Sequence, residues 1–151
     1  MAVCGQLVRI PMRVLVAHND ASFRSEFVGL MLERFSRATI FPVSTVPGAL
    51  EALLVRHPNL VVTDLDLSGH ILGGFRLILD AVSLGVPTVV LSGQVSQALR
   101  ERLDNLGVKR VPKGESQAVL LGAVDCLLRE RPRTVPTVRH GASNVHALSL
   151  T

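Results

Sequence analysis

A carboxylate, a hydroxyl and an ammonium each stand directly behind a short apolar run in this chain. Asp64 ends the run Asn59-Leu60-Val61-Val62-Thr63, Ser92 follows Val89-Val90-Leu91, and Lys113 follows Val108 to Val111 and Pro112. Apolar runs of this length, bounded by turn residues, read as strands buried on both faces. Stability does not ask a buried strand to end in an ionised side chain. In an open α/β sheet, however, the carboxyl ends of the strands are where ligands sit. If these strands lie side by side, the three groups share one pocket, joined by His18 and Asn19 behind the run Met12–Ala17. Such a set suits phosphoryl transfer. Asp64 would be the nucleophile that forms an acyl phosphate. Ser92 would donate to a phosphoryl oxygen, and Lys113 would offset charge and keep Asp64 ionised.

The elements that hold these groups follow from the apolar pattern. Residues 12–17 form a first strand. From Ala21 a helix buries Phe23, Phe27, Leu30, Met31 and Phe35, with Asp20 or Ser22 as its cap. Residues 39–45 form a weaker strand, which Pro42 confines to a sheet edge. Pro47 opens a short helix that closes before Pro58. A loop from Ser68 to Gly74 follows Asp64, and Gly73 and Gly74 are expected to supply its turn geometry. Phe75, Ile78, Leu79 and Val82 are the expected buried face of a third helix. Val95, Leu99, Leu103 and Leu106 mark a fourth, closed by Gly107. Leu120, Ala123, Val124 and Leu127 mark a fifth that ends near Arg129. Five strands alternating with five helices predict an α/β fold, a doubly wound five-stranded parallel sheet with right-handed crossovers.

Composition bounds the rest. The 151 residues suffice for one domain with a real core, and with 48% hydrophobic residues but no Trp or Tyr that core must be Val, Leu, Ile and Ala. No apolar run is long enough for a membrane span, and the N-terminus lacks a secretory signal. The cysteines, Cys4 and Cys126, read as plain thiols in a reducing cytoplasm. Arg131, Arg133 and Arg139 account for three of the net +4 charges, which leaves only +1 on the first 130 residues. A near-neutral body with a basic tail is not by itself a DNA-reading surface. The expected organisation is an N-terminal extension over 1–11, the domain over 12–130, and a linker over 131–151 carrying Pro, Gly and Ser.

The order Asp64, Ser92, Lys113, each after its strand, resembles the receiver domain of bacterial two-component response regulators, over residues 12–129. Leu65-Asp66-Leu67-Ser68-Gly69 is similar to that family's loop after the phosphoacceptor. The resemblance implies a flavodoxin-like strand order, 2-1-3-4-5. It implies phosphate transfer to Asp64 from a phosphohistidine on a sensor histidine kinase, with Ser92 and Lys113 stabilising the product. It also places the backbone carbonyl of Asp66 where it would reach a metal. Ala147-Leu148-Ser149-Leu150-Thr151 resembles the lead-in to the helix-turn-helix domain of LuxR-type regulators. The chain is therefore expected to be the N-terminal part of a transcription factor, reaching DNA only through a domain beyond residue 151, and to form a homodimer.

Several positions depart from the family's pattern. His18 and Asn19 stand where the family has two acidic residues that hold Mg²⁺, a hard cation that favours carboxylates. Asp20 is expected to cap the helix instead of replacing them. Arg110 stands at the family's aromatic switch position, in a segment one residue short. Gly114 follows Lys113 where the family has Pro, and the loop 68–74 is longer than usual and lacks the family's Pro. A phosphoryl group brings roughly −2. Without Mg²⁺ only Lys113, helped by a protonated His18, would oppose it. The expectation is a receiver-like domain that takes phosphate poorly or not at all, uses no cofactor or metal, is not an enzyme and acts as a constitutive interaction module.

An ordinary receiver, phosphorylated at Asp64 with Mg²⁺, is the alternative. A small phosphatase or flavin protein on the same fold would lack a second catalytic acid, a GxGxxG or GK[ST] loop, and aromatic rings to stack on a flavin. His18 is expected to line the pocket in preference to ligating metal or sensing pH. Asp66 is expected to matter through its backbone. The last helix carries Val119, Leu120, Leu121, Val124, Leu127 and Leu128 on more than one stripe, which fits either a dimer contact or a deeply packed helix.

Overall fold

Apolar runs too short for helices and too continuous to face water pair with one another into a sheet. In the computed structural model of the chain, residues 12–69 and 72–130 are described. The expected extension over 1–11 with Cys4, and the linker over 131–151 with its three arginines, lie outside them. The strands are β1 (Arg13–Ala17), β2 (Thr39–Val43), β3 (Leu60–Asp64), β4 (Thr88–Ser92) and β5 (Lys109–Pro112). All neighbours pair in parallel, in the order β2-β1-β3-β4-β5. The helices are α1 (Ala21–Arg34), α2 (Val46–Arg56), α3 (Phe75–Ser83), α4 (Gln97–Asn105) and α5 (Gln117–Glu130), with a short 3-10 turn at Leu67–Gly69. The expected doubly wound five-stranded sheet with five helices is the fold observed. Among the described residues no helix is long and apolar enough to cross a membrane.

The sheet separates two apolar layers. On one face Val14, Val16, Leu60, Val62, Val89 and Val111 meet Phe27 and Met31 of α1 and Leu120, Ala123 and Val124 of α5. On the other, Leu15 and Val61 meet α2 and α3, while Val90 meets Ile78 of α3 and Leu103 of α4. The central strands β3 and β4 are buried at every position. Their side chains are covered on both sides, so alternation with polar residues is not required of them. β2 and β5 are the edges. β2 carries the exposed Pro42, as expected of an edge, and its Phe41 ring lies under the guanidinium groups of Arg13 and Arg56, at 5.0 and 5.4 Å. β5 ends in the exposed Pro112.

Local capping sets where the helices start. Asp20 accepts from the Ser22 N–H, Thr45 from the Gly48 N–H and Ser96 from the Leu99 N–H. Two sequence expectations need correction, and one left open is narrowed. β5 runs one residue later than its apolar stretch, because Lys109 to Pro112, not Val108, make the pairing with Val89 to Ser92. In α3 the buried residues are Leu77, Ile78 and Ala81, with Phe75 and Val82 only packed against them and Leu79 half-buried. This helix is wedged between α2 and α4, so its buried stripe faces two apolar clusters and is wider and rotated from the one the spacing suggests. In α5 most of the apolar excess is absorbed by the domain's own core. Leu120 and Val124 are buried, Leu121, Leu127 and Leu128 pack against them, and only Val119 stands exposed.

Gly74 also plays a different part from the one expected. Its φ of −79° suits any residue. What it supplies is space, because a Cβ there would collide with the Asp64 carbonyl oxygen and press on the Leu65 carbonyl oxygen at 3.1 Å. Its own N–H donates to Leu65 O at 2.7 Å, stitching the start of α3 to the end of β3. Gly74→Ala is therefore expected to push β3's end out of register and cost about 1–3 kcal/mol in urea unfolding. Gly93→Ala, whose methyl meets nothing within 4 Å, should stay within about 0.5 kcal/mol of the parent.

Candidate functional site

The parallel register brings the strand ends to one rim. Ala17 pairs with Thr63, Asp64 with Leu91, and Ser92 with Pro112. His18, Asp64, Ser92 and Lys113 therefore emerge at the same carboxyl edge of the sheet, as their positions after the strands suggested. Asp64 is buried, with 2% of its surface exposed. Its Oδ1 accepts from Lys113 Nζ at 3.1 Å and from the Asp66 N–H at 3.1 Å. Its Oδ2 faces His18 Nε2 at 3.7 Å, outside hydrogen-bonding range. Lys113 is itself 40% exposed and reaches in from solvent, while its N–H donates to the Ser92 carbonyl at 2.8 Å.

Asn19 works differently from the pocket-lining group its position suggested. Its Nδ2 donates to the Asp66 carbonyl at 3.1 Å, and its Oδ1 accepts from the Ser68 N–H at 2.7 Å. One amide thus closes both sides of the loop after β3, in the single orientation that satisfies both partners. Ser68 sits at φ 64°, and its hydroxyl accepts from the Val46 N–H at 2.8 Å, which ties the loop to α2. The Asp66 carboxylate accepts from the Leu72 N–H at 3.1 Å. Asp66 thus meets Asn19 through its backbone, while Asp20 serves as the cap of α1.

His18 is held from both sides. Its Nδ1 accepts from the Asp20 N–H at 3.0 Å, so the ring proton of the neutral form lies on Nε2, toward Asp64. The ring stacks on Phe23 with centroids 4.1 Å apart. Burial lowers its pKa from the ordinary value, the Asp64 carboxylate pulls it back up, and Lys113 lowers it further. The net direction is down, so His18 is neutral near pH 7 and does not join Lys113 as a second positive charge.

Ser92 reaches the rim but its hydroxyl does not join Asp64. Ser92 is 4% exposed, and its side-chain hydroxyl has no hydrogen-bond partner among the described residues. It lines an open groove of about 720 Å³ that also takes in Arg110, whose Nε bonds Asp104 Oδ1 at 3.0 Å. The structure thus joins Asp64 to Lys113, sets His18 beside them, and leaves Ser92 and Arg110 facing a neighbouring space. Sequence spacing gave no sign of the Asn19 clasp, since an amide can pair with any backbone group it meets.

No protein-family model matches the chain, and no curated protein matches it in sequence. Solved structures do match. The non-phosphorylated HemR receiver domain from Leptospira biflexa aligns with a TM-score of 0.69 at 23% identity, over 82% of this chain and 98% of that one. A CheY-like response regulator receiver domain protein from Methanospirillum hungatei JF-1 aligns at 0.69 and 19%, over 80% and 96%. The signal receiver domain of the DNA-binding response regulator merR from Colwellia psychrerythraea 34H aligns at 0.68 and 18%, over 79% and 99%. The fold is that of response-regulator receiver domains, the flavodoxin-like architecture with strand order 2-1-3-4-5.

The histidine and the clasp each lead to a measurable outcome. A histidine whose folded pKa lies below its unfolded value favours the native state above the ordinary pKa of about 6.5, and that contribution is lost as pH falls through the folded value. Urea stability should therefore decline as pH drops from about 7.5 to about 5, and His18→Gln should flatten that part of the slope. Asn19→Ala frees the Asp66 carbonyl and the Ser68 N–H. It should cost about 1–2 kcal/mol, with faster hydrogen exchange confined to the loop after β3.

Proposed function

We propose that this domain is a receiver-type signalling module of a transcriptional regulator that acts through protein contacts and takes phosphate at Asp64 weakly or not at all. The observation that carries this reading is the Asn19 amide on the Asp66 carbonyl. By the resemblance, that carbonyl is one of the oxygens a receiver offers to Mg²⁺. Here it already has a donor. Of the other groups at the rim, Asp20 caps α1, His18 presents a neutral N–H, and Asp64 Oδ1 is held by Lys113, which leaves Asp64 Oδ2 as the carboxylate oxygen without a hydrogen bond. Among the described residues no group of three or more His, Cys, Asp or Glu side chains could hold a metal ion. The donor set does not fit Mg²⁺.

The electrostatics point the same way. Phosphorylating Asp64 would replace a carboxylate of about −1 by an acyl phosphate of roughly −2, at a rim where, among the described residues, Lys113 already bonds the carboxylate and the Arg24 guanidinium is held by the His18 and Asn19 carbonyls. In this reading the module carries no cofactor, performs no catalysis of its own and works in the cytoplasm. It pairs as a homodimer and passes its state to a DNA-binding domain beyond residue 151, the only part that would touch DNA. A sensor histidine kinase is a partner only if Asp64 does accept phosphate.

Intact-mass measurement after treatment with Mg²⁺ and acetyl phosphate, or with beryllofluoride, decides the matter. The expected result is no stoichiometric adduct and no Mg²⁺-dependent shift of the amides from Asp64 to Ser68. One phosphoryl group per chain, lost in Asp64→Asn, would refute the proposal in favour of an ordinary receiver. The double variant His18→Asp with Asn19→Asp supplies carboxylates in place of the clasp and should gain a saturable Mg²⁺ response that the parent lacks.

A further inference from the structure

An open groove lies beside Ser92 against the sheet's rim, and the Asp64 pocket makes no use of it. We propose that it is a binding site for a small organic anion, a carboxylate or a phosphate monoester carrying an apolar body. Its volume of about 720 Å³ lies within the range of small-molecule sites. Ser92, Gln94, Val95, Arg100, Arg110 and Pro112 line it.

The polar groups there are poised and under-used. Ser92 lines the groove and is 4% exposed, and its hydroxyl makes no hydrogen bond among the described residues. Buried hydroxyls are as a rule paired, so an unpaired one at the wall of a cavity marks the place of a ligand atom or a water. The Gln94 amide likewise has no partner among the described residues. Arg110 holds only Asp104, a carboxylate that is 55% exposed, and ion pairs this open to solvent are weak and readily exchanged. Arg100 reaches the Val95 carbonyl at 3.5 Å, the outer limit of a hydrogen bond.

Two guanidinium groups therefore line one groove, and no carboxylate lies among its lining residues. Guanidinium forks match the geometry of carboxylate and phosphate oxygens. Val95 and Pro112 give the apolar wall that a simple inorganic ion would not need. The anionic head would lie between Arg100 and Arg110 within reach of Ser92, with the body against Val95 and Pro112. Binding would draw Arg110 away from Asp104 and couple the end of β4 to β5. The groove would then be an input that does not depend on whether Asp64 takes phosphate.

The test titrates the isotope-labelled full chain with phenyl phosphate, with benzoate and with the neutral benzyl alcohol, followed by amide shifts. The expected result is saturable shifts at Ser92, Gly93, Gln94 and Val95 with at least one anion, and none with the alcohol. Whichever anion binds more tightly identifies the head group. Arg100→Gln and Arg110→Gln should each weaken binding about tenfold, the loss of one charge-assisted contact, with amide spectra unchanged away from the groove. Asp64→Asn should leave the affinity as it is. Equal shifts from benzyl alcohol, indifference to both arginine substitutions, or no saturable shift from either anion would overturn the proposal. So would loss of binding in Asp64→Asn, which would put the anion in the Asp64 pocket instead.

Discussion

A carboxylate placed at the end of a strand covered on both faces cannot remain ionised on its own, because burying an unpaired charge costs far more than any single packing contact returns. Asp64 is in that position, and much of the rim is arranged around it. Lys113 must come from the end of β5, which fixes how far β5 extends along β4. The Asp66 N–H must turn back toward the carboxylate, which sets the course of the loop. Gly74 must be bare, because the chain returns to within contact of the Asp64 carbonyl as α3 begins. A charge that answers Asp64 from the protein itself leaves less for any incoming group to supply.

The clasp made by Asn19 follows the same logic of internal neutralisation. A divalent cation at the Asp66 carbonyl would be exchangeable and would change the pocket's net charge when it arrived or left. An amide does neither. It is covalently attached just past β1's end, it is neutral, and it satisfies an acceptor and a donor at once. The clasp ties the loop to the end of β1 from within the chain. His18 supports this arrangement by accepting the Asp20 N–H and stacking on Phe23, which links the rim to α1 and its cap.

The strands and the Asp64–Lys113 pair were legible in the sequence for a physical reason. A short apolar run that stops at a charged side chain fits a buried strand reaching the rim far better than a helix or a loop, and parallel strands deliver their ends to one side. Pro42 announced an edge, and Asp20 announced a cap. Other features were not legible. The face of α3 depends on having two neighbours, and helical spacing alone cannot say how many helices a helix touches. The space reserved at Gly74 depends on how near β3's end passes, which no local pattern encodes. The neutrality of His18 emerges only when burial, Asp64 and Lys113 are weighed together. Ser92 was placed at the correct strand end, but its position in the chain does not say whether its hydroxyl meets Asp64.

The two proline-bearing borders of the sheet limit how copies of this domain can associate. β2 carries Pro42 beside an aromatic ring sheltered by two guanidinium groups, and β5 carries Pro112 after Lys109 and Arg110. A proline offers no N–H, and rows of cations repel their like, so neither border is a template on which a further chain could lay a β-ribbon. Growth of the sheet into fibrils or swapped assemblies is discouraged at both ends.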